Sequence, residues 1–369
     1  MAHETLINAD WQSVVDRLGG AERLELEARE LRAFRRVRQI KCAVDLLRLT
    51  LAYCLGTMGL RLTAAWAEAT GLAALSNVAL LKRLRKMEPW LERLVGSLMG
   101  TPGDGLCAGS AQGRLIRLVD ATVVAKAGRE DRAAGGVWRV HAVFDLPAER
   151  FSVFELTDER EGERFDRAAV VPGEIRIADR AYLQPDRMGT VLAAGADILV
   201  RAKWNGGRWL DADGNKIDLI KLLKKARKDY LDRSIWIGRP GGTPLALRLV
   251  AIRKPPEAAE KTRTRLIARA REKQRVLQDG TLVAAGWVIL VTSLDAAAFP
   301  TNAIGDLYRL RWRIEIAFKH LKSGAGLARP PAEDVGVAKV HILCHLLMIL
   351  LTEPLLAEQL GDSPRQAAA

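Results

Sequence analysis

The constraint that most narrows the fold lies between residues 113 and 201. There the helical texture of the first hundred residues gives way to five short apolar segments rich in β-branched residues. The segments "RLIRLVDATVV", "VWRVHAVFDL" and "RFSVFELTD" follow one another closely, with the turn "LPAER" before the third. Runs of this length and composition read as strands. Two more strands, "EIRIADRAY" and "ADILVRAKW", each follow a piece with helical texture, "ERFDRAAVV" and "LQPDRMGTVLAAG". A meander of three strands, then helix, strand, helix, strand, predicts an α/β fold around a five-stranded sheet. The series needs one more helix to close it, and that helix is delayed. Residues 205–300 intervene with the basic helix "LIKLLKKARKDY", the strands "RSIWIGRP", "LALRLVAIRK" and "GWVILVTSL", and the charged run "KTRTRLIARAREKQR". This stretch reads as a β-rich insertion, after which a helix over about 304–322 resumes the interrupted domain.

The boundaries that follow are a helical region over 1–105, the first part of the α/β core over 106–204, the insertion over 205–300, the second part of the core over 301–358 and a disordered tail over 359–369. A chain of 369 residues has room for two or three domains. In the helical region, "AERLELEARELRAFRRVRQIK" carries seven Lys and Arg against four Glu. Further on, "LTAAWAEATGL" and "SNVALLKRLRKMEPWL" have the texture of helix, turn, helix. Gly71 serves there as a stop, Ser76 as an N-cap, and Lys82, Arg83, Arg85 and Lys86 project from the second helix. A generic helical bundle fits the same residues; the clustered cations favour DNA contact.

The net charge of +13 and pI near 9.8 point to a polyanionic partner, nucleic acid first and an anionic membrane second. Four cysteines, at 42, 54, 107 and 344, lack metal-site or disulfide spacing, and a reducing cytosol suits them. The start "MAHETLINADWQ" is not a signal peptide. The run "ILCHLLMILLTEPLL" at 342–356 reads as too short and too polar to span a bilayer, and hence as a buried helix without membrane contact. His341 and His345 at i, i+4 have no third ligand, and packing is the expected role. His141 is expected to be structural, and Trp312 to pack at the edge of the sheet or insertion.

The delayed helix carries the strongest signal. In "YRLRWRIEIAFKHLK", Tyr308, Arg311, Glu315, Lys319 and Lys322 fall within an arc of roughly 80°. Leu307, Leu310, Ile314, Ala317, Phe318 and Leu321 form an opposing apolar stripe. Asp120 follows the apolar run of the first strand and Asp179 lies at the tip of the fourth. In an RNase H-like sheet those two strands are neighbours and the closing helix packs near the same edge, which brings Asp120, Asp179 and Glu315 together. Three converging carboxylates repel one another unless cations occupy the cluster, and hard oxygen donors suit Mg²⁺ or Mn²⁺. Two such ions would suit phosphodiester chemistry.

The spacing Tyr308–x2–Arg311–x3–Glu315–x6–Lys322 resembles the YREK signature of the cut-and-paste insertion-sequence DDE transposases of the IS-four group, which includes the Tn-five transposase. "RWRIE", "KSGAG", the "DAT" at 120–122, and "DR" at 179–180 followed by "LVRAKW" extend the resemblance over nearly the whole chain. It implies an RNase H-like core split by a β-rich insertion and preceded by a helical DNA-binding region. Asp120, Asp179 and Glu315 would be the catalytic, metal-binding triad for two Mg²⁺ ions, with Mn²⁺ as a substitute. Tyr308, Arg311, Lys319 and Lys322 would hold phosphates near the cleaved end, and Trp287 would stack a flipped base. Arg201 and Lys203 either contact the transposon end or form an exposed pair after the fifth strand, and the runs 221–228 and 261–275 either form solvated faces or contact phosphates. The implied partners are double-stranded DNA, as inverted-repeat ends and as target, and a second copy of the chain in a homodimer. The implied activity is end cleavage followed by 3′-OH strand transfer. Two other readings stay open at this level: a DNA-binding remnant that no longer recombines, and a metal-dependent nuclease without strand transfer.

Overall fold

The computed structural model describes residues 11–56, 58–98, 113–125, 137–147, 150–158, 160–315, 318–319 and 334–360. Helices come first: α1 over 11–17, α2 (Ala21–Glu30), α3 (Ala43–Leu55), α4 (Leu60–Ala69), α5 (Asn77–Leu84) and α6 (Glu88–Leu98). The turn between α4 and α5 follows the sequence signals. Gly71 takes φ +69°, a backbone conformation that glycine adopts without strain, and Ser76 Oγ caps α5 by accepting from Ala79 N at 3.2 Å. Of the basic run from residue 21 to 41, placed in the helical region by its sequence, only the part up to Glu30 is helical. Arg32 turns into the left-handed region at φ +59°, and Arg35, Arg36, Arg38 and Lys41 lie exposed in an irregular loop pinned by buried Phe34 and Ile40.

The strands are β1 (Ile116–Ala125), β2 (Val137–Asp145), β3 (Arg150–Asp158), β4 (Ile175–Ala178), β5 (Asp197–Arg201), β6 (Trp209–Leu210), β7 (Tyr230–Arg239), β8 (Gly242–Arg253) and β9 (Trp287–Thr292). Among them lie α7 (Pro185–Ala193), α8 (Leu219–Lys225), α9 (Pro256–Glu272) and α10 (Asp279–Ala285). The series ends with α11 (Thr301–Arg309), α12 over 312–315 and 318–319, and α13 (Val335–Leu360). All nine strands join one sheet in the order β3-β2-β1-β4-β5-β9-β8-β7-β6. The three strands of the meander and the two that follow it are therefore adjacent, as expected. The insertion does not stand apart: its strands extend the same sheet, because β9 pairs with both β5 and β8.

Both faces of the sheet are covered, so apolar side chains of the central strands are buried on either side, with Arg117 and Arg176 as buried exceptions. Leu118, Ile177, Leu199 and Leu290 face a cluster that continues into α3, α6 and α13. Val119, Ala178, Val200 and Val291 face a second cluster with Met188 and Val191 of α7 and Leu219 and Leu223 of α8. The helix expected over "ERFDRAAVV" is absent. That segment is irregular, and its carbonyls accept from buried guanidinium groups: Arg176 donates to the carbonyls of Phe165, Ala168 and Ala169, and Arg117 to that of Ala169. The helix α13 runs over 26 residues, longer than the quoted apolar run. Its segment Val335–Thr352 is apolar and long enough to cross a membrane, which corrects the expectation that it is too short, yet 67% of that segment is buried inside the protein. His341 and His345 pack ring to ring with centroids 4.2 Å apart, as expected of core histidines. Of the predicted tail, residues 359–360 belong to α13 and 361–369 lie outside the described residues.

Candidate active site

Strand register sets the two aspartates side by side. The parallel pairing of β1 with β4 ends at Val119↔Ala178, so Asp120 and Asp179 occupy the next position on neighbouring strands, which run about 4.8 Å apart. Asp120 stays within β1, opposite Ala142 of β2, whereas Asp179 lies just past the end of β4. Asp120 is half-buried, and its carboxylate accepts from the amide of Ala121 at 2.8 Å. Burial pushes its pKa up to about 6. The Ala121 amide and the Arg311 guanidinium oppose that shift, while Glu163 and Glu315 add to it.

The closing helix is broken where the sequence reads as continuous. The α11 helix ends at Arg309, residues 310–311 form a turn, and α12 begins at 312. Tyr308 and Glu315 therefore project from different helices, yet both reach the aspartates' surroundings. Buried Tyr308 donates from its hydroxyl to Asp179 Oδ1 at 3.3 Å. The side chain of Arg311 is 13% exposed and donates from Nη2 to Glu315 Oε1 at 2.7 Å. Burial works against the Arg311 charge; the fields of Tyr308, Glu315 and Asp179 overcome it and raise its pKa.

Asp120, Asp179, Tyr308, Arg311 and Glu315 thus form one electrostatic neighbourhood. The closed three-carboxylate set expected from sequence is not what the geometry shows: among the described residues, no three of His, Cys, Asp and Glu stand close enough to hold one ion. The physical reason is that uncompensated carboxylates repel, and Glu315 takes its countercharge from Arg311. The donor chemistry nonetheless fits a divalent cation. Two hard carboxylates sit at neighbouring positions, one in β1 and one just past the end of β4, and a cation bound there would offset the burial that raises the Asp120 pKa.

Other predicted residues divide. Arg201, at the end of β5, lies near enough to act electrostatically on Tyr308, and Lys203 is exposed two residues on. Lys319 is exposed on α12, and Lys322 lies outside the described residues. Trp287 is 5% exposed, with the Arg253 guanidinium 4.3 Å over its ring. Trp312, expected to pack, is 43% exposed beside Arg311. On α5, Lys82 is exposed and Arg83 half-buried, whereas Arg85 is engaged by Asp334 at 2.7 Å near the start of α13. Sequence reasoning missed Glu163 and Lys254. Burial raises the pKa of Glu163 and Asp179 adds to the rise; Arg201 and Arg180 act on Lys254. Neither residue lies in a motif, so only the folded chain reveals them.

Comparison with known proteins decides the family. Residues 111–351 match the family described as the transposase DDE domain, a span that runs from just before β1 into α13. The InsL protein of insertion sequence IS186A from Escherichia coli strain K12 is 38% identical over 367 residues, covering 98% of this chain and 97% of that protein. The transposase of insertion sequence IS421 from Escherichia coli is 38% identical over 368 residues, with the same coverage. The chain belongs to the DDE transposase family. It is a DNA transposase, an enzyme of DNA cleavage and strand transfer, and the family's chemistry depends on divalent metal.

Proposed function

We propose that this transposase excises an insertion sequence by cut-and-paste, with Asp120 and Asp179 as carboxylates that hold Mg²⁺, or Mn²⁺ in its place, and with Glu315, bonded to Arg311 through Oε1, closing on them when the cation binds. The observation that carries the reading is the register of β1 and β4, which sets Asp120 beside Asp179 under α11 and α12. The strand order β3-β2-β1-β4-β5 supports an RNase H-like core. When bound, the cations supply activation of the attacking hydroxyl and neutralisation of the leaving oxygen.

The chain's own residues do the positioning. Tyr308 fixes the orientation of the Asp179 carboxylate through its hydroxyl. Arg311, held by Glu315 and largely buried, presents a fixed positive charge to the phosphodiester, and positioning with charge stabilisation is what phosphoryl transfer needs most. Arg201, Lys203, Lys319 and Lys322 contact the phosphates around the cleaved end, and Lys82 and Arg83 contact DNA from α5. Arg85 is left out of that set by its pairing with Asp334. Two copies of the chain pair the two inverted-repeat ends, and the freed 3′-hydroxyl attacks target DNA. Base stacking on Trp287 requires the Arg253 guanidinium to leave the ring face.

The test is incubation of the full chain with duplexes carrying its own element ends and Mg²⁺, comparing the native protein with Glu315→Gln. Loss of cleavage by at least a hundredfold with DNA binding retained is expected. Equal cleavage by the two proteins removes Glu315 from the chemistry.

A further inference from the structure

The helix α9 is out of proportion to what it packs against. It spans 17 residues, of which Ala259 is the buried one, and it touches the rest of the protein chiefly through α10. Residues 257–275 hold seven Lys and Arg against three Glu. Its inner side is anchored: Thr262 Oγ1 accepts from Lys254 Nζ at 3.3 Å, and Arg263 Nε donates to the Leu282 carbonyl at 3.4 Å. Its outer side carries Lys261, Arg265 and Arg269, all exposed and at i, i+4, i+8, within an arc of roughly 80°. None of these three makes an ion pair among the described residues, whereas Glu260 is taken by Arg263 at 3.1 Å. A structural helix of this composition would balance its outer charges with pairs at i, i+4. This one leaves them open.

The place from which α9 starts gives its charge a direction. The chain leaves β8 at Arg253, paired with Trp287 at the start of β9, and β9 runs antiparallel to β5. That edge of the sheet is the one where β4 ends just before Asp179 and β5 ends at Arg201. Lys254, at the base of α9, feels both Arg201 and Arg180, the residue after Asp179. A band of positive charge therefore leads from the carboxylates through Arg180, Arg201 and Lys254 onto the open face of α9.

We infer that α9 is an arm for duplex DNA, and that Lys261, Arg265 and Arg269 contact backbone phosphates of the duplex adjoining the phosphodiester cut at the Asp120–Asp179 site. This rests on the transposase reading above and adds to it a surface that no motif marks. At 1.5 Å per residue the arm is about 25 Å long, the length of roughly seven base pairs. The contact is to phosphates, which fix where the duplex lies and carry no sequence information.

The experiment uses the full chain and a duplex carrying one element end with adjoining DNA. Binding of the native protein is compared with that of Lys261→Gln/Arg265→Gln/Arg269→Gln across 50–200 mM salt. Glutamine keeps helix propensity and the three positions are exposed, so an unchanged melting curve confirms the fold. Removal of three phosphate contacts makes the slope of log affinity against log salt shallower by about 2 to 3. Over that fourfold range of salt, the native protein then loses about forty times more of its affinity than the variant does. In parallel, a benzophenone side chain placed at Ala268, on the open face, is expected to crosslink to the adjoining duplex. An unchanged slope, or no crosslink to DNA that the same protein demonstrably binds, overturns the arm and leaves the transposase reading standing. Failure of the native protein to bind the end at all overturns both.

Discussion

Glu174 is wholly buried, and its carboxylate joins two buried guanidinium groups. It accepts from Arg117 Nη1 at 2.9 Å, from Arg176 Nε at 2.7 Å and from the amide of Val171 at 3.1 Å. Arg117 has a second carboxylate, Asp145 at 3.0 Å, but the remaining bonds of Arg176 go to the carbonyls of Phe165, Ala168 and Ala169. In Glu174→Gln, Arg176 is left as a buried cation with no bonded carboxylate. Breaking a buried pair in this way costs about 3–5 kcal/mol. For a chain of 369 residues the melting temperature should fall by roughly 4–7 °C. The assay is calorimetry, with urea unfolding at 25 °C as a check on the midpoint. The double variant Glu174→Leu/Arg176→Met should lose less than the single one, because it removes the stranded charge along with its partner. The loss should also be local: residues 160–174, which carry Glu163 toward the aspartates, should become the first site of proteolytic nicking. A Glu174→Gln protein within 1 kcal/mol of native would refute the reasoning.

Acid should destabilise the protein through His341, whose ring nitrogens have no hydrogen-bond partner among the described residues and whose pKa is pushed down by burial to about 3, with His345 adding to the effect. The unfolded chain binds the proton near 6.5, so this stability is complete above that pH and is lost as pH falls toward 3, at up to about 1.4 kcal/mol per unit. His341→Phe should flatten that dependence in urea midpoints taken at pH 7.0, 5.5 and 4.5, and an unchanged slope would rule the histidine out. Tyr308→Phe keeps the buried ring and removes the bond to Asp179; end cleavage should drop at least tenfold while stability stays within about 1 kcal/mol. Ser76→Ala should cost about 1 kcal/mol through loss of the α5 cap, read by thermal melting, with catalysis unaffected where folding is complete.

Much of the architecture is written locally. Runs of β-branched residues fix where strands form, Gly71 and Ser76 fix a turn and a cap, and the i, i+4 spacing around Arg311 and Glu315 is met by a bond between those two side chains. Periodicity failed where long-range partners decided. The segment 163–171 has helical texture, but its carbonyls are claimed by Arg176 and Arg117 from neighbouring strands. Leu118 and Val119 are both buried because helices cover both faces of the sheet, which alternation along one strand does not reveal.

By itself, then, the sequence determined the strand series, the positive charge and the identity of the acidic and basic side chains, since these depend on neighbours a few residues away. The tertiary structure alone decided that the insertion strands would extend the sheet, that Glu163 and Lys254 would join the site, that Arg85 would be tied to Asp334, and that Glu315 would bond Arg311 instead of closing on the aspartates. The reason is that charge interactions depend on distance in space and on burial, and both are set by strand pairing between residues far apart in the chain.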